Sequence, residues 1–599
     1  MADAPATTPA DGTGPDVVIL GAGINGAALA RELVLNGASV LVVDASDVAF
    51  GTTRWSTRLV HGGLRYLEYG EVGLVRESLL ERERLVRLAP HLVEPLGFYV
   101  PLRGRLGGLR SAAARMVGLD GLARHWASAR GRGALVVRMG LALYDLLAIG
   151  SAWPRHRIVR AGGAGLPQVD ARAFPLAALY ADARMALPER FTVELLVDAA
   201  AAAAERGLFF RVATRRTARL GEDGRLRLAV GAGEAEESFA PRALVNATGA
   251  WVDRTNGALL PGAAPRPLIG GTKGSHLVID HPPLRAALRT RGIYAEAADG
   301  RPVFVLPFGP RLVLVGTTDI PFAGDPASAR AEPGEVDYLL AAVAALFPDT
   351  APGVGTVVEH YCGVRPLPAT TGRSAAGVTR RHMLVPLPAA PLPAWAIVGG
   401  KLTTCRSLAE QGAAIVLRAL ARRARPVSRD RPLPGACDPR RAESIVAALV
   451  ALGERAGQTR EAAAAAATAT VALLGARAAS VAALVERAPE AERAALLSPL
   501  PGVALPAAVV PWCVAEEWAS SLEDVVERRL VLPLDPGFTT ATIRAVAAAL
   551  QRCGRLAAAD VEGEVTRLVA GLRERHGLRL DPAPPSPSPH DPAPPESRP

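Results

Sequence analysis

An α/β fold built on a parallel sheet and extended by an all-helical C-terminal domain is what this sequence predicts. Three observations predict it. An apolar run, a glycine-rich turn, a helical run and a second apolar run succeed one another over residues 16–44. Short apolar runs then alternate with Pro/Gly turns and helical stretches to about residue 430. Beyond about residue 440 the strand pattern stops, and Ala, Leu, Glu and Arg recur at helical spacing.

The elements follow in chain order. Residues 1–15 (MADAPATTPADGTGP) have neither a basic n-region nor an apolar core and read as a disordered tail, not a signal peptide. DVVIL, GAGING, AALARELVLNGA and VLVVD then read as strand, tight turn, helix and strand, one βαβ unit. Gly21, Gly23 and Gly26 stand at GxGxxG spacing in that turn, with Asn25 between them. The first glycine permits the tight turn, the second lets backbone amides approach a pyrophosphate, and the third allows close helix packing. Asp44 closes the second strand, where a carboxylate can accept from ribose hydroxyls, so the unit reads as dinucleotide-binding. The runs ALVNATG, HLVID, VFVLP, LVLVGTTD and AWAIVGG continue a mixed core over 16–430. Residues 431–439 read as a linker, 440–575 as the helical domain, and 576–599 as a Pro-rich disordered tail.

Composition narrows the partners. The chain of 599 residues has a net charge of +10, which admits nucleic acid, anionic lipid or an anionic substrate; dispersed arginines weigh against nucleic acid. Five cysteines, far apart and without CxxC spacing, fit a reducing cytoplasm and no metal site. The longest apolar candidate, residues 462–476, is shorter than the roughly 20 residues a spanning helix needs. Among 68 basic residues only Lys273 and Lys401 are lysines, and each lies in a glycine-flanked motif, GGTKGSH and GGKLTT. A compact ammonium at those two places has a use that a planar guanidinium lacks.

Further motifs carry the chemistry. NATG (246–249) resembles the second short motif of flavoproteins with dinucleotide-binding folds, and GGKLTT (399–404) the start of their last helix, whose N-terminus would stabilise negative charge on a reduced flavin. With HGGLRYLEYG (61–70), APHLVEPLGFYVPL, NATGAW, KGSHLV, VGTTD, GVRPL, VTR, GGKLTT and AEEWASSLEDVVERR, the chain resembles the FAD-dependent glycerol-3-phosphate dehydrogenase family over nearly all of its length outside the tails. The resemblance implies an FAD-binding two-lobed oxidoreductase fold, a Rossmann-like dinucleotide domain with an inserted mixed β-sheet substrate domain. It departs from the family at Arg58, Asp44 and Cys405, none of them a catalytic candidate.

The implied site is specific. FAD is expected on Gly21, Gly23, Asn25, Gly26, Asp44, Thr52, Thr53, Thr248, Gly249, Gly400, Leu402 and Thr403. Arg65, Tyr66, Arg365, Arg380, Lys401 and Thr318 are expected to hold the substrate, since a phosphate dianion needs several cationic donors. Removal of a hydroxyl proton needs a base near neutrality; His61 is the first choice and His276 the second, with Arg365 and Lys401 counted among the catalytic groups. Lys273 is expected to line or support the same pocket. The implied reaction is oxidation of sn-glycerol 3-phosphate to dihydroxyacetone phosphate by hydride transfer from C2 to flavin N5, with electrons passed to a membrane quinone. The implied location is cytoplasmic and peripheral, on the inner face of the cytoplasmic membrane. Residues 103–138, with eight arginines against one acid, form a candidate for contact with anionic lipid or a solvated basic loop. A homodimer is left open. The rival readings are an oxidase that returns electrons to oxygen, a flavin oxidase of another small acid or amine, and a flavin-containing RNA-modifying protein.

Overall fold

The computed structural model describes residues 14–104, 134–229, 236–260, 266–369 and 380–580. Most of the expected N-terminal tail, residues 105–133 of the basic segment and residues 581–599 of the Pro-rich tail lie outside them.

The cofactor lobe is built on a six-stranded sheet in the order Met383–Pro386, Ala394–Val398, Ala243–Asn246, Val17–Leu20, Val40–Val43, Phe210–Ala213, parallel except for its first edge strand. The run VVIL is buried on both faces, as an apolar β-branched strand inside a parallel sheet must be. Helix Ile24–Leu35 follows at once and is buried almost all round, because helices Pro188–Glu205 and Cys405–Ala419 pack on either side of it.

The second lobe is a mixed sheet. Next to one edge of it runs the strand Thr272–Asp280, antiparallel to both Leu312–Gly316 and Val357–Arg365, with Thr272 opposite Arg365 and His276 opposite Tyr361. The long strands Val93–Leu102 and Leu176–Met185 extend it toward Leu59–Val60. Side chains alternate across a strand, so Gly274 and His276 face one side and Lys273 and Ser275 the other.

Helices occupy the described chain after residue 438: Pro439–Arg455, Arg460–Leu474, Ala478–Arg487, Glu490–Leu497, Val509–Glu516, Thr540–Arg552 and Val561–His576. Asp438, Thr459 and Thr539 cap three of them by accepting from backbone amides of the first turn. Their core gathers Trp512, Val525, Val526, Ile543 and Leu550. The stretch expected as a linker is docked on the cofactor lobe: the Leu433 amide donates to the Leu88 carbonyl at 2.9 Å, and Arg431 pairs with Asp198 at 2.8 Å. The run Arg460–Arg487 joins two of these helices through Gly475 at φ +56; it is longer than the apolar segment read from sequence and, by length and composition alone, long and apolar enough to cross a membrane. Half of it is buried, and Arg477 within it pairs with Glu517.

Candidate active site

A cavity of about 740 Å³ runs from Asp44 at one end to His61, Arg365, Arg380 and Lys401 at the other. The sequence motifs meet along its wall. Gly21 has φ +103, and a Cβ there would stand 2.7 Å from the Ala247 carbonyl of NATG. A Cβ on Gly26 would stand 2.0 Å from the Gly21 carbonyl oxygen; Gly26 thus closes the turn from behind and does not line the cavity. Gly23 opens helix Ile24–Leu35 with no side-chain cap of its own, and the Ile24 amide donates to Thr53 Oγ1 at 3.0 Å. Asp44 accepts from the Ala22 and Ser46 amides at 2.7 and 2.8 Å; burial pushes its carboxyl up to about 6 against those bonds. Thr52 donates to the Val364 carbonyl at 2.7 Å, tying this wall to the second lobe.

GGKLTT closes the site from the far side. Gly399 and Gly400 have φ +77 and +95, and a Cβ on Gly400 would stand 2.9 Å from Asn25 Nδ2. The Thr403 hydroxyl accepts from the His61 amide at 3.1 Å and faces its carbonyl at 3.4 Å, so two motifs distant in sequence are locked backbone to side chain. The ammonium of Lys401 donates to Ser78 Oγ at 2.7 Å and lies 4.6 Å from the centre of the Tyr66 ring. Burial lowers the Lys401 ammonium to about 7, against the opposing pull of Glu77 and Asp182.

The two histidines differ. Burial, with a contribution from the Lys401 charge, pushes the His61 imidazole down to about 3; its ring faces Tyr66 and Phe304, and its nitrogens have no hydrogen-bond partner among the described residues. His276 is 2% exposed, held well below its ordinary range by burial, stacked on Tyr361, and its Nε2 is engaged by Thr57 Oγ1 at 2.9 Å. Both are neutral near pH 7; both His61 nitrogens, and Nδ1 alone of His276, lack a partner among the described residues.

Arg365 ends its strand in a fixed fork. It donates to Asp319 Oδ1 at 3.0 Å, Thr317 Oγ1 at 2.8 Å and the Thr318 carbonyl at 3.1 Å. A Cβ on Gly274 would stand 2.1 Å from Arg365 Nη2, which is why KGSH has glycine there. Arg380 Nη1 is buried and has no partner among the described residues.

The cavity wall thus brings together His61, Tyr66, His276, Arg365, Arg380 and Lys401. Besides Gly26, three expected residues lie elsewhere. The Thr318 hydroxyl turns away, donating to Glu335 at 2.6 Å, and reaches the site only through its carbonyl on Arg365. Lys273, on the opposite face of its strand from His276, pairs with Glu332 and Glu335 at 2.6 and 2.8 Å and does not line the pocket. Arg65 is half-buried in the turn Leu64–Tyr69, outside the cavity wall. Sequence reasoning missed Ser78, Thr57 and Trp55. Ser78 sits in a charged helix with no motif, and Trp55 betrays itself only through Gly363, where a Cβ would meet its side chain at 2.4 Å.

A dinucleotide of FAD type fits this wall. The glycine turn admits backbone amides to a pyrophosphate, Asn25 Oδ1 is buried without a partner among the described residues, and Asp44 sits at the ribose position. Residues 16–386 match the family described as FAD dependent oxidoreductase. The glycerol-3-phosphate dehydrogenase of Synechocystis sp. is 34% identical over 553 residues, 88% of this chain and 91% of that one. The aerobic glycerol-3-phosphate dehydrogenase of Escherichia coli is 33% identical over 407 residues, 66% of this chain and 72% of that one. The structure of the glycerol-3-phosphate dehydrogenase of Bacillus halodurans, complexed with FAD, superposes with a TM-score of 0.67 at 19% identity, covering 95% of this chain and 96% of that one. Cavity and comparisons agree: this chain is an FAD-dependent oxidoreductase and belongs to the glycerol-3-phosphate dehydrogenase family.

Proposed function

We propose that the cavity oxidises sn-glycerol 3-phosphate to dihydroxyacetone phosphate and that the electrons pass to a membrane quinone. One observation carries the reading. At the end of the cavity beside GGKLTT, three cations, Arg365, Arg380 and Lys401, face the same space as a neutral histidine, while the carboxylates of the lining, Asp44 and Asp325, lie with other partners. Arg380, with Nη1 unpartnered among the described residues, offers donors to phosphate oxygens, Lys401 adds a point charge, and Arg365, its fork engaged by Asp319, Thr317 and Thr318, adds positive charge beside them. Tyr66 contributes a hydroxyl and the ring under Lys401. His61, neutral above about pH 3, accepts the proton of the C2 hydroxyl at an imidazole nitrogen. FAD, when bound, supplies the acceptor for the two electrons of the C2–H bond. Relatives named glycerol-3-phosphate dehydrogenase support the substrate.

Peripheral attachment to the inner face of the cytoplasmic membrane completes the proposal. Leu135, Met139 and Leu146 on helix Ala134–Leu147, with Ile149 just beyond it, are exposed, while Gly140 and Tyr144 of the same helix pack on Leu64 and Gly62. The experiment is anaerobic mixing of the purified flavoprotein with glycerol 3-phosphate while the flavin absorbance is followed. Bleaching is expected, and its absence would sink the substrate. Reoxidation by a quinone analogue much faster than by oxygen is the expected second result; rapid peroxide formation would replace the dehydrogenase with an oxidase.

A further inference from the structure

Beneath the turn that carries His61 lies a buried polar cluster. Asp182, in the strand Leu176–Met185, is 1% exposed. Its carboxylate accepts the Tyr144 hydroxyl at 2.7 and 2.8 Å, Arg82 Nη1 at 2.8 Å and the Gly62 amide at 3.3 Å. The Gly62 amide also donates to Tyr144 Oη at 3.0 Å, so the N–H that follows His61 is shared between a phenol and a carboxylate. Arg82 donates to the Ala181 carbonyl at 2.9 Å, and its guanidinium lies 4.0 Å from the centre of the Trp153 ring. A Cβ on Gly62 would stand 2.4 Å from Tyr144 Oη. The glycine after His61 is therefore required by the cluster and not by the cavity.

We propose that Asp182 is a positioning residue for this site: through the Gly62 amide and the Tyr144 hydroxyl it fixes the turn that presents the His61 imidazole to the substrate. The proposal rests on the reading of the cavity as a polyol-phosphate site in which His61 takes the proton. A turn held only by neutral backbone partners would not need a buried charge, which is costly unless paired. Arg82 provides that pair, and Ser78, one turn earlier on the same face of helix Val72–Leu88, holds Lys401. One helix thus sets both the counter-ion of Asp182 and the acceptor for the Lys401 ammonium. Asp182, with Glu77 and Glu71, also favours the charged form of Lys401 against burial and Arg380; Ser78, Tyr66 and His61 are the other groups around it.

Asp182→Asn keeps the size and an oxygen acceptor while removing the charge, and Tyr144→Phe removes only the hydroxyl. Both are studied as full-length, FAD-loaded protein by stopped-flow reduction with glycerol 3-phosphate and by hydrogen exchange of the peptide spanning residues 59–66. FAD content is expected to stay at the wild-type level while exchange in that peptide rises. The rate of flavin reduction is expected to fall about 10- to 100-fold, the scale of a ~1 Å misplacement, with KM changed less than about threefold. The charge of Lys401 is lost above about pH 7, and in Asp182→Asn the pH at which that loss raises KM is expected to move down. Wild-type exchange together with a wild-type reduction rate in either folded variant would overturn the proposal; if Asp182→Asn does not fold, Tyr144→Phe decides alone. A wild-type flavin that glycerol 3-phosphate does not bleach overturns the functional reading and the proposal together, and that result is read before any variant is made.

Discussion

Lys401 is the residue on which the proposed reaction is most sharply tested. Its ammonium has no carboxylate within salt-bridge distance among the described residues; a serine hydroxyl and an aromatic face are what it touches. With its proton held only to about pH 7, the charge is present below that pH and lost above it. The apparent KM for glycerol 3-phosphate is therefore expected to rise between about pH 7 and pH 9, measured by steady-state kinetics across that range. Lys401→Arg should abolish that rise, because a guanidinium stays charged, yet lower kcat/KM by about tenfold or more at pH 7, because a planar fork does not fit between Ser78 and Tyr66. A fully active variant would reduce the lysine to an accident of composition. The other lysine shows where reading single residues fails. Lys273 shares a motif with His276, but three positions along a strand place the two on opposite faces, and Lys273 answers to Glu332 and Glu335.

At the scale of elements, the strand Thr272–Asp280 joins two residues of the cavity wall to the strand that ends in Arg365. Its alternate residues offer Gly274 and His276 to the cavity, and its partner Val357–Arg365 delivers Arg365 at its end. Gly274→Ala would drive a methyl into Arg365 Nη2 and Thr317 Oγ1. The expected result is a KM raised about tenfold with FAD content unchanged, measured by kinetics and flavin absorbance on the same sample. Loss of FAD in equal proportion would assign the glycine to folding instead. The cofactor half of the site was legible because glycines mark close approaches that no other residue permits, as at Gly21 and Gly26. Ser78, Thr57 and Asp182 were not legible, since they act through contacts between elements far apart in the chain and leave no local spacing. The docking of residues 431–438 was hidden for a related reason: Pro and Arg enrichment is shared by free linkers and by extended segments pinned by ion pairs.

The whole molecule is joined by buried charge. Arg528 and Arg529, on the π-helical turn Asp524–Arg529, both reach Asp47 at 2.6 and 2.8 Å, just behind the cavity-lining segment 50–59. Arg190 from the cofactor lobe and Arg477 from the helical lobe both bind Glu517. Burial works to raise the Glu517 carboxyl, but the two guanidiniums outweigh it and hold it at about 2; Asp47 is lowered in the same way. A depressed folded-state carboxyl stabilises in full above its ordinary value near 4.5 and loses that contribution as pH falls toward about 2. Acid unfolding followed by circular dichroism is therefore expected to set in below about pH 4.5 and to carry FAD release with it. Asp47→Ala, which leaves buried Arg529 without a carboxylate while Arg528 keeps Asp524 and Glu523, should cost about 3–5 kcal/mol in denaturant titration and shift acid sensitivity accordingly. An unchanged midpoint would make the lobe interface dispensable.

The order of strands in the cofactor sheet has a consequence for the chain's birth. Val17–Leu20 pairs on one side with Val40–Val43, made almost at once, and on the other with Ala243–Asn246, made roughly 220 residues later. At translation rates of about 5–20 residues per second, that half of its ladder stays unpaired for on the order of ten to forty seconds. A nascent chain from this gene thus carries one unpaired edge of an apolar strand until NATG emerges.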